Sequence, residues 1–230
     1  MTRSVVSRFR RRARTAALAF TIVAAGCGVV AGAGYARLPL GEPFQAVADN
    51  PADSMLDVPI DDQTYDPATH CVKNPTKGAL ALVRWLPKVT PRGVNWGINR
   101  CEIWGPHSAS LHAEGRAVDW HLDVHDAADR AEAEGLIKLL LAPDANGEPH
   151  ALARRLGVQG LIFNCQAWWG GEGLQKYSAC LDKHGKLDPH VDDTTAHKNH
   201  VHLELSKAGA KLRTSFWTEG PGRAIARSLK

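Results

Sequence analysis

Two stretches of the sequence decide which fold to expect: SLHAEGRAVD at residues 110–119 and HKNHVHLEL at residues 197–205. In an extended strand, successive side chains point to opposite faces of the sheet. As a strand, the second stretch places His200, His202 and Glu204 on one face and three apolar side chains on the other. The apolar face predicts contact with a hydrophobic core, and the polar face predicts a functional surface.

The first stretch shows the same alternation after a glycine. Beyond Gly115, Asp119 and His121 share one face, while Val118 and Trp120 share the other. Gly115 suits a tight bend before this strand, because glycine accepts backbone angles that are closed to other residues. Two such strands can converge on one cation, although the solvated polar faces of an antiparallel sheet would show the same pattern.

The residue types on these polar faces favour zinc. Imidazole nitrogens and carboxylate oxygens both bind Zn²⁺, and three protein ligands leave a fourth position for water. The sequence therefore predicts one Zn²⁺ ion between the two strands.

Residues 110–119 match S-x-H-x-x-G-x-A-x-D at every fixed position, and residues 200–202 supply H-x-H. In these motifs the chain, over residues 71–205, resembles the zinc D-alanyl-D-alanine peptidases and their hedgehog-type relatives. It looks most like their extensin-like actinobacterial branch. The resemblance implies a hedgehog-like or DD-peptidase-like fold, in which His112, Asp119 and His202 bind the zinc ion.

The resemblance also implies roles for residues around the metal. His200 is expected to act as general base or to stabilise the transition state, and Arg100 to hold an oxyanion or a substrate carboxylate. Ser110 is expected to support the ligand loop. Many members place an acid three residues before the last ligand, but this chain has Asn199 there, which cannot take up a proton. His200 and His197 are therefore the first candidates for the base, followed by Glu204 and Asp193.

The expected function is a zinc peptidase that hydrolyses peptide bonds in bacterial peptidoglycan, as a D-Ala-D-Ala-type carboxypeptidase or endopeptidase. The main alternative is a zinc-containing cell-wall-binding module of the same fold that has lost catalysis, which Asn199 favours. A structural exported domain without metal is a third possibility. The expected partner is the peptidoglycan peptide, and the chain is expected to be a monomer.

The periodicity of the remaining sequence predicts a single α+β domain in which a small antiparallel sheet has helices packed on one side. One helix should end at Pro87, and another should begin after Asp126 as N-cap and run to Leu141. The predicted helices cover residues 77–85, 127–141 and 149–156, and the predicted strands cover 93–104, 116–124, 158–164 and 199–205.

Four segments are expected along the chain. Residues 1–36 are predicted to be a signal peptide or membrane anchor, and residues 37–69 an acidic linker that contains several prolines. Residues 70–220 are predicted to form the zinc peptidase-like domain, and residues 221–230 a C-terminal tail.

The distribution of charge argues against a nucleic-acid partner. The net charge is +4, but six arginines lie within the first fourteen residues and leave the rest slightly acidic. That remainder lacks the basic surface that binding to a phosphate backbone requires. The uncharged run at residues 16–36 follows these arginines, as in a secretory signal, and is also long enough to span a membrane. Cys27 lies in a weak match to a lipoprotein box. The domain is therefore expected to be exported.

The cysteine count agrees with export. Four cysteines remain outside the leader, and none of them forms a C-x-x-C pair. Three pairings are possible, and proximity along the chain favours Cys71–Cys101 and Cys165–Cys180.

A cluster of aromatic residues, Trp168, Trp169 and Tyr177, follows the third predicted strand. These side chains can either line a substrate groove or pack in the core near the second disulfide.

Overall fold

The computed structural model of the protein describes residues 53–105 and 108–229. The predicted leader with Cys27, the first part of the acidic segment and His107 lie outside the described residues. Within the described ranges, no helix combines the length and the apolar character needed to cross a membrane.

The strand that carries the H-x-H motif lies inside a six-stranded antiparallel sheet. The order across this sheet is β1-β4-β8-β5-β6-β7, and β2 pairs with β3 in a separate hairpin. The eight strands are β1 Val94–Gly97, β2 Ile103–Gly105, β3 Ser108–Ala109, β4 Ala117–His121, β5 Val158–Phe163, β6 Gln166–Trp169, β7 Gln175–Lys176 and β8 His200–Leu205. The predicted strands at 116–124, 158–164 and 199–205 are confirmed as β4, β5 and β8.

Six α-helices accompany the sheet: α1 Lys77–Trp85, α2 Ala127–Leu141, α3 Ala151–Leu156, α4 Lys207–Ala210, α5 Ser215–Thr218 and α6 Arg223–Arg227. The hydroxyl of Thr76 accepts a hydrogen bond from the third residue of α1 and caps its start. Asp126 accepts hydrogen bonds from two backbone N–H groups of α2, as expected for an N-cap. All three predicted helices are confirmed, although α3 begins two residues later than predicted.

The helices cover one face of the sheet. Val118 and Trp120 of β4 and Leu203 of β8 are buried in one core with Leu82 of α1 and Leu136 of α2. These strand residues form the apolar faces predicted from the alternation of side chains, so that prediction is confirmed. The α+β class, with a small antiparallel sheet and helices on one side, is confirmed. The opposite face of β4 and β8 carries the polar residues.

Both favoured disulfides are present: Cys71 is bonded to Cys101, and Cys165 is bonded to Cys180. The first bond ties the segment before α1 to the chain before β2. The second disulfide encloses β6 and β7.

The segment at residues 93–104 differs from the single strand that was predicted. β1 pairs with β4, whereas β2 pairs with β3 in the separate hairpin. Between them the amide of Asn99 donates to the carbonyl oxygen of His112, and Cys101 is held by Cys71. These contacts with distant residues draw the chain out of the main sheet, so the local alternation was misleading here.

Two segments outside the predicted domain pack against it. In the described part of the predicted linker, Met55 is 1% exposed and belongs to the main core. Asp61 accepts two hydrogen bonds from the first residue of α5. At the other end, α6 lies within residues 221–230 and buries Ala226 in the same core. The packed unit therefore extends beyond residues 70–220 on both sides.

Candidate metal centre

Three donor atoms meet on the polar face of the sheet. Asp119 of β4 lies opposite His202 of β8 in the antiparallel register, and His112 reaches them from the turn before β4. His112 Nε2 lies 3.1 Å from Asp119 Oδ1 and 3.2 Å from His202 Nδ1. Asp119 Oδ1 and His202 Nδ1 are 2.9 Å apart, so the three atoms form a triangle. All three residues are buried, and together they can hold a metal ion.

The turn that delivers His112 depends on Gly115 and Ser110. Gly115 has a φ of 61°, and a Cβ atom there would lie 2.8 Å from the carbonyl oxygen of Asn74. The predicted bend therefore requires glycine for both its backbone angle and its close packing. The Ser110 hydroxyl accepts a hydrogen bond from the backbone N–H of His112.

The hydrogen bond at the far side of the His112 ring sets its tautomer. His112 Nδ1 lies 2.8 Å from the carbonyl oxygen of Ile98, which can only accept a hydrogen bond. Nδ1 therefore carries the proton, and in the neutral ring Nε2 directs a lone pair towards Asp119. Holding the outer nitrogen in this way is the usual support for a histidine that ligates a metal.

His202 is oriented in the same sense by Glu204. His202 Nε2 lies 3.2 Å from Glu204 Oε1, and an ionised carboxylate can only accept, so Nε2 is the donor. In the neutral ring, Nδ1 then directs its lone pair towards Asp119 Oδ1. Two imidazole lone pairs and one carboxylate oxygen thus face one another, and this arrangement is stable only with a positive charge between them.

The pKa values in the metal-free protein reflect this demand for a positive charge. Burial disfavours the charged form of His202, but Asp119 and Glu204 outweigh it and raise the pKa of His202 to about 9. Burial likewise raises the pKa of Asp119, yet the nearby nitrogens of His112 and His202 bring it well below its ordinary value. The carboxylate therefore stays ionised at physiological pH.

The size of the triangle fits a small divalent ion. Nitrogen and oxygen ligands lie about 2.0–2.2 Å from Zn²⁺, so neighbouring ligands in a tetrahedron are roughly 3.3–3.6 Å apart. The observed separations of 2.9, 3.1 and 3.2 Å differ from this by a few tenths of an ångström. Two imidazoles with one carboxylate are also a donor set that zinc accepts. The predicted ligands His112, Asp119 and His202 are thus together, whereas the identity of the metal is not decided by this geometry.

Arg100 secures the second oxygen of Asp119. Its Nη1 donates to Asp119 Oδ2 at 2.6 Å, and its Nε donates to Glu102 Oε1 at 2.7 Å. This contact leaves Asp119 Oδ1 to face the two histidines. Arg100 also lines the cavity beside the triad, where it stays paired with both carboxylates.

His200, the predicted base, is held by the side chain of Asn199, the residue that stands where many family members carry an acid. The Asn199 side-chain nitrogen donates to the hydroxyl of Thr194 at 3.1 Å, so its oxygen faces His200 Nδ1 at 2.7 Å. His200 Nδ1 is therefore the donor, and Nε2 keeps its lone pair at 3.5 Å from Asp119 Oδ1. Burial lowers the pKa of His200 to about 4, so the ring is neutral at physiological pH.

His197, the other candidate base, lies next to His200 and His202, with ring centroids 4.7 and 5.5 Å away. Its Nδ1 donates to the carbonyl oxygen of Thr195, which leaves Nε2 unprotonated. Burial, together with the charges of the two neighbouring histidines, lowers the pKa of His197 to about 3. Both candidate bases therefore present a neutral ring near the triad.

A cavity of about 530 Å³ opens beside the triad. Arg100, His197 and His202 contribute to its wall and connect it with the metal centre. Its aromatic lining consists of Tyr65, Trp104, Trp169 and Tyr177.

The aromatic cluster that follows β5 divides between the core and the wall of the cavity. Trp168 points to the helix-covered face and is fully buried in the core. Trp169, one residue on, points to the polar face and lines the cavity together with Tyr177. The alternation of side chains along β6 separates the two roles.

Sequence reasoning missed several contributors to the site. Tyr65 and Trp104 had been assigned only to a linker and a strand, yet both line the cavity. The Ile98 carbonyl oxygen belongs to the backbone, so no residue type could have signalled it. His121, which shares a strand face with Asp119, stacks on Trp96 with ring centroids 4.1 Å apart, and its Nδ1 contacts the carbonyl oxygen of Asn199.

Comparisons of the chain with protein-family models, with curated proteins and with solved structures returned no match.

Proposed function

We propose that the protein is a zinc-dependent peptidase that hydrolyses peptide bonds in bacterial cell-wall peptidoglycan. The observation that carries this proposal is the buried triangle of ligand atoms from His112, Asp119 and His202. Its support from the sequence is the resemblance of residues 110–119 and 200–202 to the motifs of the zinc D-alanyl-D-alanine peptidases. Zinc held by these residues would supply Lewis-acid activation of water and of the substrate carbonyl group.

Side chains of the protein would transfer the proton of the attacking water and stabilise the negative charge that develops on the substrate. His200 Nε2 accepts a proton from the attacking water, because Asn199 keeps the other ring nitrogen protonated. The same ring nitrogen then returns the proton to the leaving amine. Arg100 provides a positive charge at the cavity wall for the developing oxyanion or for a terminal carboxylate of the peptide.

The cavity supports a peptide as substrate. Its volume of about 530 Å³ is within the range of ligand pockets and suits a few amino-acid residues. Aromatic rings supply apolar contact, and the polar groups converge at the end near the triad. The two disulfides favour an oxidising compartment, which is consistent with action on the cell wall after export.

The test is hydrolysis of purified peptidoglycan, and of a peptide ending in D-Ala-D-Ala, by zinc-loaded protein. We expect new amino groups to appear, and we expect a chelator to abolish their release and added zinc to restore it. Mass spectrometry of the products distinguishes carboxypeptidase from endopeptidase cleavage. Cleavage that continues after the metal has been stripped would refute the proposed mechanism.

A non-catalytic zinc module that binds the cell wall is the second candidate. The observation in its favour is that Asn199 occupies the position where many relatives carry an acid. Protein that retains one zinc ion and binds sacculi, but releases no amino groups from them, would establish this function in place of hydrolysis.

A further inference from the structure

Glu204 carries a negative charge at the floor of the cavity that its neighbours satisfy only in part. The residue is 6% exposed, and its Oε1 lies 3.2 Å from His202 Nε2. Its Oε2 is buried and accepts no hydrogen bond from the described residues. The Tyr65 hydroxyl lies near the carboxylate, and burial, the charge of Glu204 and a hydrogen-bonding interaction with it all raise the pKa of Tyr65.

The arginines of this region are already engaged elsewhere. Arg100 forms ion pairs with Asp119 and Glu102. Arg116 is buried and pairs with Glu114, and it also donates to three backbone carbonyl groups. A neutral His202, as required of a metal ligand, adds a hydrogen bond but no positive charge. Among the described residues, no lysine or arginine therefore forms an ion pair with Glu204.

Aromatic rings stand around this carboxylate. Tyr65 and Trp169 make an edge-to-face contact with ring centroids 5.9 Å apart, and Tyr177 lines the same cavity. At Gly160 a Cβ atom would lie 2.7 Å from Glu204 Oε2 and 2.8 Å from the Trp169 ring. The lack of a side chain at Gly160 thus lets the carboxylate and the indole occupy one wall together.

A carboxylate among aromatic faces is suited to a cation, because ring faces attract positive charge and the carboxylate accepts its hydrogen bonds. We propose that Glu204, with Tyr65, Trp169 and Tyr177, binds a primary ammonium group of the peptide substrate close to the scissile bond. This inference rests on the proposed peptidase function, and it adds a requirement for an amine. The ammonium group belongs either to an amino-acid side chain, such as lysine, or to a free peptide N-terminus.

Binding to zinc-loaded protein, followed by tryptophan fluorescence, tests the subsite separately from catalysis. Three forms of one lysine-containing peptide ending in D-Ala-D-Ala serve as probes. The first is acetylated only at its N-terminus, the second only at the lysine side chain, and the third at both amines. We expect one of the singly acetylated peptides to bind about 10- to 100-fold more tightly than the doubly acetylated one, as is typical of a charged hydrogen bond. Which of the two binds better identifies the source of the amine.

Glu204→Gln is the decisive variant, because its amide oxygen can still accept from His202 while the charge is lost. We expect this variant to retain zinc and to bind the amine and doubly acetylated peptides equally. Glu102→Gln removes a different carboxylate of the cavity wall, one that is already paired with Arg100, and should keep the preference for the amine. If Glu204→Gln does not fold, Tyr65→Leu at the half-exposed rim should reduce the same preference.

The outcomes separate the two proposals. Equal binding of all three peptides by the wild-type protein, or no binding of any of them, would overturn the ammonium subsite. Cleavage of peptidoglycan alongside such a result would leave the peptidase function intact. Conversely, a preference for the amine that depends on Glu204, without hydrolysis of any peptide or wall material, would support the subsite and refute the peptidase.

Discussion

Replacing His112 by asparagine should abolish the stabilisation of the fold by zinc. The asparagine side-chain nitrogen can occupy the place of Nδ1 and donate to the carbonyl oxygen of Ile98, which His112 Nδ1 contacts at 2.8 Å. Asparagine has no atom at the place of Nε2, which lies 3.1 Å from Asp119 Oδ1. The variant therefore removes one of the three donor atoms while it keeps the hydrogen bond that anchors the side chain.

The expected size of the effect follows from linkage. A ligand that binds only the folded state stabilises it by about 2.7 kcal/mol at a free concentration of one hundred times its Kd. For a domain of this size, 1 kcal/mol corresponds to a Tm change of roughly 2–4 °C, so zinc should raise the Tm of the wild type by about 5–11 °C. With only two donors left, His112→Asn should show a rise close to zero.

Thermal unfolding in excess zinc and in excess chelator measures this difference for each protein. Comparing the two conditions within one variant cancels the cost of the small cavity that the missing ring atoms leave. His121→Asn is a matched control, since His121 lies on the same face of β4 and its Nδ1 also contacts a backbone oxygen, but it is outside the triad. The control should gain as much from zinc as the wild type. An equal zinc-dependent rise in His112→Asn, or no rise in the wild type, would show that this triangle is not a zinc site.

Three further outcomes are expected. In the metal-free protein the raised pKa of His202 stabilises the fold fully below its ordinary value of 6.5, and this contribution is lost as the pH rises through about 9. Zinc must displace that proton, so its apparent affinity should fall about tenfold per pH unit below 9, as measured by titration at pH 6, 7 and 8. Asn199→Ala should lower kcat/KM about 10- to 100-fold with unchanged zinc content, because nothing then selects the tautomer of His200; full activity would exclude that role. Replacing Cys165 and Cys180 together by serine should cost about 3 kcal/mol in urea unfolding, the value expected for a loop of 15 residues.

The local elements of the fold could be predicted because their signals lie within a few residues of one another. The apolar spacing of α1, the Asp126 cap of α2 and the alternation in β8 all report local geometry. The prediction of one strand at residues 93–104 was wrong because distant contacts decide the structure there. The hydrogen bond of Asn99 to His112 and the disulfide between Cys101 and Cys71 divide this segment between two sheets. β7 and the short helices after β8 are only two to five residues long, so periodicity had too few positions in which to appear.

The candidate site shows the same division between local and distant information. The resemblance of the two motifs predicted which residues meet at the triad, and strand alternation placed Asp119 and His202 on the polar face. The residues of the cavity wall could not be predicted in this way. Tyr65 belongs to a segment rich in aspartate and proline, and it reaches the site only because that segment packs on the domain. Arg116 donates to backbone carbonyl groups of Asp66 and Pro67, which places the neighbouring Tyr65 beside Glu204.

Asn199 shows why a departure from a motif has to be judged by its contacts. As a residue type it cannot accept a proton, and the sequence therefore left lost catalysis as an alternative to hydrolysis. In the fold its oxygen instead holds His200 Nδ1 at 2.7 Å, while its nitrogen is engaged by Thr194. With its nitrogen bonded to Thr194 and its oxygen facing His200, the amide favours the His200 tautomer that is protonated at Nδ1, without raising the pKa of the ring through a negative charge. In the proposed mechanism the proton would go to His200 Nε2 and not to an acid at position 199, and this imidazole is neutral at physiological pH.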